Sequence, residues 1–180
     1  SGRYEEGIGL HQEALAIVRN TQGERSLDAG KSLSEIGQAL MNQGKLDEAL
    51  ERLEQALSIC TEAGGSKHES VAVVLTTMGN CYCKMDRLDE ALAKHKRALV
   101  IERILDGDGS EDVAVSLGNI GAVLLDKGML VEARAKYEEA LEIFRRARGE
   151  KHPNVAVALG DIAHILRKQG QLDEALEMHE

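Results

Sequence analysis

Apolar residues in this chain form a stripe that recurs at a fixed interval. Leu33, Ile36, Gly37 and Leu40 have the i, i+3, i+4, i+7 spacing of one helical face. The same register positions return downstream as Leu75, Met78, Gly79 and Tyr82, then as Leu117, Ile120, Gly121 and Leu124, and finally as Leu159, Ile162, Ala163 and Leu166. Each stripe predicts one helix, which we call a first helix, and the earliest is predicted over residues 28–43.

A polar phrase after each stripe introduces a second helix. It begins at Gly44, Asp86, Gly128 and Gly170, always 42 residues apart, and a weaker copy begins at Gly2. Second helices are therefore predicted from about residues 47, 89 and 131 for some 17–18 residues, and from about 173 to the chain end. A constant period between about 20 and 50 residues is typical of stacked helical repeats.

The period divides the chain into helix pairs of one array that covers residues 1–180. We expect a partial unit over 1–27, three full units over about 28–69, 70–111 and 112–153, and a partial unit over 154–180. Residues 4–20 then form a second helix that lacks its first helix. Because both ends of the chain fall within a unit, we expect the chain to be part of a longer array.

Glycine marks two positions of the unit. Gly37, Gly79 and Gly121 lie inside first helices. Because an interior glycine costs a helix roughly 1 kcal/mol relative to alanine, we expect a neighbouring helix to approach each of them closely. The glycines that open the polar phrase favour a left-handed turn. Asp86 holds that place in one unit, so we expect Asp86 to have a positive φ.

Charge and composition narrow the classes of function. The 180 residues carry a formal net charge of −9, and 43% are hydrophobic but only 2% aromatic. A nucleic-acid surface needs clustered basic residues, so we do not expect nucleic acid as a partner. No run of about 18 apolar residues is present, so we expect no membrane span and predict a cytoplasmic protein.

No sequence pattern indicates catalysis, a metal or a cofactor. Cys60, Cys81 and Cys83 lack the spacing of a zinc site, and their odd number argues against a disulfide framework. The motifs of phosphate-binding loops, serine hydrolases and zinc proteases are absent. We therefore predict that the chain is not an enzyme.

Five of the six histidines are expected to be structural, the exception being His164. His11, His95 and His179 share one packing position of the second helices, so we expect them to be partly buried. His68 and His152 each stand beside a predicted helix start and are expected to serve the turn between units.

One stripe carries a resemblance to a known family. Leu75, Met78, Gly79 and Tyr82, with Ala91 downstream, resemble the tetratricopeptide repeat. The resemblance extends over nearly the whole chain because the pattern returns in register four times. It implies an all-α solenoid of stacked antiparallel helix pairs.

The 42-residue period is similar to the longer repeat of kinesin light chains, as are residues 151–156 and 167–170. Two positions depart from the shorter repeat. Leucine replaces the family's tryptophan, and Leu53, His95 and Tyr137 replace its phenylalanine. These departures weaken any transfer of ligand preference.

In arrays of this kind the first helices line a concave groove. By register the groove would be lined by Lys31, Ser34, Gln38, Met41, Asn42, Val73, Thr76, Asn80, Cys83, Lys84, Val115, Gly118, Ala122, Leu125, Asp126, Val157, Gly160, His164, Arg167 and Lys168. The middle of this set is small and apolar and its ends are partly basic, which would suit a peptide with apolar anchors and some acidic character. The alternative is a solvated inner wall, with the ligand bound elsewhere in a longer array.

The predicted function is therefore a protein–protein interaction scaffold or adaptor whose groove binds a peptide or protein segment. Two alternatives stay open. Uncapped ends of a repeat array expose apolar faces, which would permit self-assembly by end-to-end stacking. The chain would otherwise be a regulatory module of a larger signalling protein or enzyme.

Overall fold

Eight α-helices follow one another along the part of the chain that the structure describes. A computed structural model describes the backbone of residues 2–171 and the side chains of residues 7–171. The helices are α1 (Gly2–Gln22), α2 (Leu27–Asn42), α3 (Leu46–Gly64), α4 (Glu69–Lys84), α5 (Leu88–Asp106), α6 (Glu111–Asp126), α7 (Leu130–Arg148) and α8 (Pro153–Gln169). No strand occurs among the described residues, which confirms the all-α prediction.

The predicted alternation of two helix types is confirmed. The first helices are α2, α4, α6 and α8, with 16 or 17 residues each. The second helices α3, α5 and α7 have 19 residues each, and α1 occupies the register of a second helix. The second helix predicted from 173, and His179 within it, lie outside the described residues.

Contacts divide the chain into two compact units, residues 1–101 and residues 102–180, and we describe each by itself. In the first unit α2 packs against α1, α3 and α4, and α3 also packs against α4. In the second unit α7 packs against both α6 and α8. First helices thus pack beside second helices within each unit.

The core is built from the predicted stripes. All their side chains are buried except that of Leu159, which is half-buried and so corrects the prediction for that position. The second helices contribute small buried residues at two register positions, namely Ala49, Ala91 and Ala133 and then Ala56, Ala98 and Ala140. Short side chains at fixed places allow adjacent helices to pack closely.

Each predicted interior glycine meets a side chain of the following second helix. A β-carbon at position 37 would lie 2.7 Å from Cγ of Leu53, and one at position 121 would lie 3.0 Å from Cε2 of Tyr137. A methyl group at either position would therefore force the facing side chain to shift. The expected close approach is therefore confirmed, and the partner is the residue that replaces the family's phenylalanine.

One register position caps every first helix. Ser26, His68, Ser110 and His152 each have an extended backbone, and each side chain accepts a hydrogen bond from a backbone N–H of the first turn. Nδ1 of His68 accepts from Ser70 at 3.1 Å, and Nδ1 of His152 accepts from Asn154 at 3.3 Å. Such caps satisfy donors that a helix start leaves unpaired. The expected role of these histidines in the turn is confirmed.

The turn between the two helices of a pair is left-handed. Gly44, Gly128 and Gly170 have φ of 80°, 74° and 79°, and Asp86 at the same position has φ of 58°. The predicted positive φ of Asp86 is confirmed. Asp86 is the one non-glycine residue with a positive φ among those described.

The histidines of the packing position differ from one another. His95 is fully buried on α5, deeper than predicted. His11 is half-buried on α1, and its Nδ1 lies 3.3 Å from Oε2 of Glu35. On the same helix Ala14 is exposed, whereas Ala56, Ala98 and Ala140 at the same register position are buried.

Candidate functional site

Two clefts open beside the first helices, one in each unit. The N-terminal cleft lies between α2 and α4 and has a volume of about 220 Å³. Its lining residues are Lys31, Ser34, Glu35, Glu69, Ser70, Val73 and Val74. Nζ of Lys31 lies 3.8 Å from Oδ1 of Asp28, and Glu35 is paired with His11, so two of its charged side chains already have partners.

The C-terminal cleft is larger, with a volume of about 390 Å³, and lies among three helices of the second unit. Its lining comprises Ala114, Val115, Gly118, Asn119 and Ala122 of α6, Tyr137, Ala140 and Phe144 of α7, and Asn154, Val157, Ala158 and Asp161 of α8. Most of these side chains are small and apolar. Such a hollow with a few polar groups is the usual composition of a binding site.

Gly118 leaves the C-terminal cleft open along α6. A β-carbon at this position would meet no atom within 4 Å. Gly118 therefore differs from Gly121, three residues later, whose missing β-carbon is required by Tyr137. An interior glycine lowers helix stability. At position 121 the close packing of Tyr137 offsets this cost, whereas at position 118 no contact among the described residues offsets it.

Asp161 is the one charged side chain that lines the C-terminal cleft. Burial raises the pKa of its carboxyl, and the nearby His164 opposes that shift. Burial also raises the pKa of Tyr137, and the charges of Asp161 and Asp126 add to the effect. The phenol of Tyr137 is therefore neutral at physiological pH, while Asp161 supplies the charge of the cleft.

A sequence profile described as "Tetratricopeptide repeat" matches residues 28–101 and 112–180. The chain belongs to the tetratricopeptide repeat family. A search of curated protein sequences gave no significant match.

Solved structures share this tetratricopeptide repeat fold. The crystal structure of BtubC (BKLC) from P. vanneervenii has a TM-score of 0.89 at 22% identity, over 98% of this chain and 70% of that one. The crystal structure of nearly identical repeats from a Podosopora anserina putative kinesin light chain has a TM-score of 0.81 at 21% identity, over 98% of this chain and 84% of that one. The predicted solenoid of the kinesin light chain type is confirmed as a fold.

A third similar structure contains a bound factor. It is a Rap protein complexed with competence and sporulation factor, with a TM-score of 0.78 at 18% identity. The alignment covers 98% of this tetratricopeptide repeat chain and 47% of the Rap chain.

The structure places seven of the predicted groove residues in the two clefts. Lys31, Ser34 and Val73 line the N-terminal cleft. Val115, Gly118, Ala122 and Val157 line the C-terminal cleft. The other predicted residues line neither cleft, namely Gln38, Met41, Asn42, Thr76, Asn80, Cys83, Lys84, Leu125, Asp126, Gly160, His164, Arg167 and Lys168.

Two residues that were predicted to line an accessible groove have little exposed surface. Ser34 and Met41 are both buried. Ser34 borders its cleft with little exposed surface, and Met41 packs in the core because its position turns toward the neighbouring helices. Neither side chain is available for an extensive contact with a ligand.

Sequence reasoning missed several lining positions of the first helices, and one of them supplies an acid to each cleft. Glu35, Asn119 and Asp161 share one register position, and each lines a cleft. The signal was present in the helical spacing, because this position lies four residues after that of Lys31 and Val157 and so on the same face. Tyr137 and Phe144 of α7 also line the C-terminal cleft, and the spacing within the first helices carries no signal for them because they lie on a second helix.

Cysteines and acids form no metal site in the described region. No group of three or more histidine, cysteine, aspartate or glutamate side chains could hold an ion there. Burial raises the pKa of the Cys60 and Cys81 thiols, and Cys83 is half-buried. Among residues 2–171, no helix is both long and apolar enough to span a membrane.

Proposed function

We propose that this tetratricopeptide repeat chain is a protein–protein interaction module that binds a segment of another protein along its first helices. Three valines at one register position carry the proposal. Val73, Val115 and Val157 are 54%, 47% and 63% exposed, and each lines a cleft. Valine is a poor choice for an exposed helical site, because it is β-branched and apolar. Recurrence of an exposed apolar residue beside a hollow favours a docking surface.

The form of the clefts supports a peptide-like partner. Their walls are helices whose small residues leave narrow hollows, and such hollows accept the side chains of an extended or helical segment. A Rap protein of similar fold was solved with competence and sporulation factor bound. From that complex we take only the point that a similar fold accommodates a bound partner.

A display library of random 12-residue peptides tests the proposal. We select binders on the wild-type chain and measure their affinity for the double variant Val73→Gln and Val157→Gln. We expect affinity to fall roughly ten-fold or more, since each valine contributes on the order of 1 kcal/mol of apolar burial.

The matched control carries glutamine at two valines of second helices. Val100 on α5 and Val131 on α7 are similarly exposed and line neither cleft. The control variant should bind the selected peptides as the wild type does. Equal losses in both variants, or a selection that yields no binder of the wild-type chain, would refute the proposed function.

Self-association is a second candidate function, favoured by one observation on α1. Ile17 is 63% exposed, whereas Ile59, Ile101 and Ile143 at the same register position are 8%, 3% and 5% exposed. A position that is buried in three later second helices is thus open on α1. An exposed apolar face of this kind favours association with another helix.

A further inference from the structure

The C-terminal cleft holds an acidic group that has no hydrogen-bond or ion-pair partner among the described residues, although His164 lies near enough to offset part of its burial. Asp161 is half-buried at the cleft wall, and among residues 7–171 its carboxylate accepts no hydrogen bond and forms no ion pair. Partial removal from water without a partner is unfavourable for a carboxylate, which accounts for the raised pKa of Asp161. A cation in the cleft would relieve this cost.

Neutral polar groups around the cleft add hydrogen-bond acceptors. Asn119 of α6 and Asn154 of α8 both line it, and each side chain carries an amide oxygen. The remaining walls and floor are apolar, with Ala158 and Phe144 among them. The cleft therefore combines an apolar surface with one carboxylate and two amide oxygens.

Arginine has the chemistry that matches this combination. Its methylene stem packs on apolar surface while its head stays polar. Its planar guanidinium presents five donors and pairs with a carboxylate in a forked geometry, whereas lysine offers a single point charge. A volume of about 390 Å³ is sufficient for one long side chain and its flanking backbone.

We propose that the C-terminal cleft is a subsite for an arginine side chain of the partner segment, with the guanidinium paired to Asp161. The proposal rests on the proposed function and names the chemistry of its partner. For this cleft it differs from the acidic character expected of the whole groove, because the basic residues Arg167 and Lys168 of α8 do not line the cleft.

Gly118 supports the subsite independently of charge. Beyond its own helical turn, no atom of a described residue lies within 4 Å of its β-carbon position, so the packing described gives no reason for glycine there. A partner's backbone would approach α6 at this point, and a larger side chain would fill the hollow. Gly160 stands at the same register position of α8, and a β-carbon there would likewise meet no atom of the described residues beyond its own turn, but Gly160 does not line the cleft.

The test uses two small compounds, acetyl-valyl-arginine amide and acetyl-valyl-glutamate amide, added to the uniformly 15N-labelled chain. We expect the arginine compound at millimolar concentration to shift the backbone amide signals of Gly118, Asn119 and Asp161 saturably. The glutamate compound should leave them in place. Equal shifts with both compounds, or no shift with either, would overturn the subsite.

Two pairs of variants locate the effect. Asp161→Asn should weaken binding of the arginine compound at least about five-fold, since it removes the charge-assisted pair. Asp126→Asn makes the same change of charge outside the cleft and should alter binding less than about two-fold. Equal effects of these two variants would assign the attraction to the general field of the protein and overturn the proposal.

Gly118→Leu tests the subsite by a second route, in case Asp161→Asn loses binding only because it fails to fold. It raises helix propensity and meets no atom at its β-carbon, yet it occupies the cleft. It should abolish the shifts, whereas Gly160→Leu should preserve them, and retention of binding in Gly118→Leu would contradict the subsite. If the arginine compound fails while selected peptides still depend on Val73 and Val157, the subsite is wrong and the proposed function stands.

Discussion

His95 packs its imidazole directly against Gly79 of the preceding helix. A β-carbon at position 79 would lie 2.5 Å from Cε1 and 2.6 Å from Nε2 of this ring. The ring is fully buried, so it has no solvent-filled space into which it could move. The glycine on α4 and the ring on α5 therefore form one packing unit, in which the size of one residue fixes the size of the other.

Gly79→Ala should therefore destabilise the chain. The new methyl group would overlap the His95 ring, and overpacking of a core costs about 1–3 kcal/mol. The gain in helix propensity, about 1 kcal/mol, opposes this only in part. Urea-induced unfolding followed by circular dichroism measures the change.

Gly118→Ala is the matched control for that prediction. The same substitution in α6 meets no atom within 4 Å, so it should stabilise the chain by up to about 1 kcal/mol. The two variants thus have opposite expected signs. Equal changes in the midpoint of unfolding would show that the contact with His95 is not what position 79 requires.

His95 should also make stability depend on pH. Burial lowers the pKa of its imidazole from 6.5 to about 4. Between these values the unfolded chain binds a proton at His95 and the folded chain does not, so stability rises with pH and is lost as pH falls from about 6.5 toward 4. At pH 4.5 the loss should be about 2–3 kcal/mol relative to pH 7.5.

His95→Leu isolates this contribution from those of the carboxylates. Leucine already faces a glycine at the equivalent contact between Leu53 and Gly37, so the substitution fits the site. The free energy of unfolding, measured in urea at pH 7.5 and pH 4.5, should fall less in the variant than in the wild type. An identical decrease in both proteins would contradict the assignment to His95.

Periodicity was sufficient to predict the helices and their turns, because both depend on local spacing. The stripe positions fix which face of each first helix is buried, and Asp86 follows from its place among turn glycines. From the sequence we could predict only that a neighbouring helix approaches Gly79 closely, and not which residue of that helix contacts it. Its identity as His95 depends on how α4 and α5 are offset along their axes.

The C-terminal cleft was only partly predictable for the same reason. Register identified Val115 and Val157 as flanking the core, since this requires only the helical period. Phe144 reaches the cleft from α7, and its contribution depends on the gap left by small residues on two other helices. The lack of an ion pair at Asp161 among the described residues is likewise a result of tertiary placement, because no sequence spacing shows which carboxylates are left unpaired.

Asp86→Gly should stabilise the chain. Asp86 adopts φ of 58°, whereas glycine occupies the same turn at positions 44, 128 and 170. Removal of the side chain relieves the left-handed strain, which stabilises the folded chain. The greater entropy of the unfolded chain with glycine opposes this gain in part, so the net stabilisation should be about 0.5–1 kcal/mol. Thermal unfolding at fixed pH measures it.

The reciprocal substitution Gly128→Asp tests the same cause from the other side. It introduces a side chain at φ of 74° and should destabilise the chain by about 0.5–1 kcal/mol. A gain of stability in Gly128→Asp, or a loss in Asp86→Gly, would mean that contacts of the side chain outweigh backbone strain at this turn.

Ile17 should drive association of the chain as its concentration rises. The residue is exposed on α1, and Leu10 and Ala14 are exposed on the same helix at i−7 and i−3. Burial of such an apolar stripe between copies is favourable by about 25 cal/mol per Å². Sedimentation velocity over roughly a hundred-fold range of concentration should therefore show growth of the average mass.

Ile17→Glu should shift this association to higher concentration, because a buried carboxylate without a partner is costly. Ile104→Glu is the matched control, since Ile104 is an equally large exposed residue on α5. The control should associate as the wild type does. A wild-type chain that stays monomeric over the whole range, or two variants that behave alike, would exclude the α1 face as the contact.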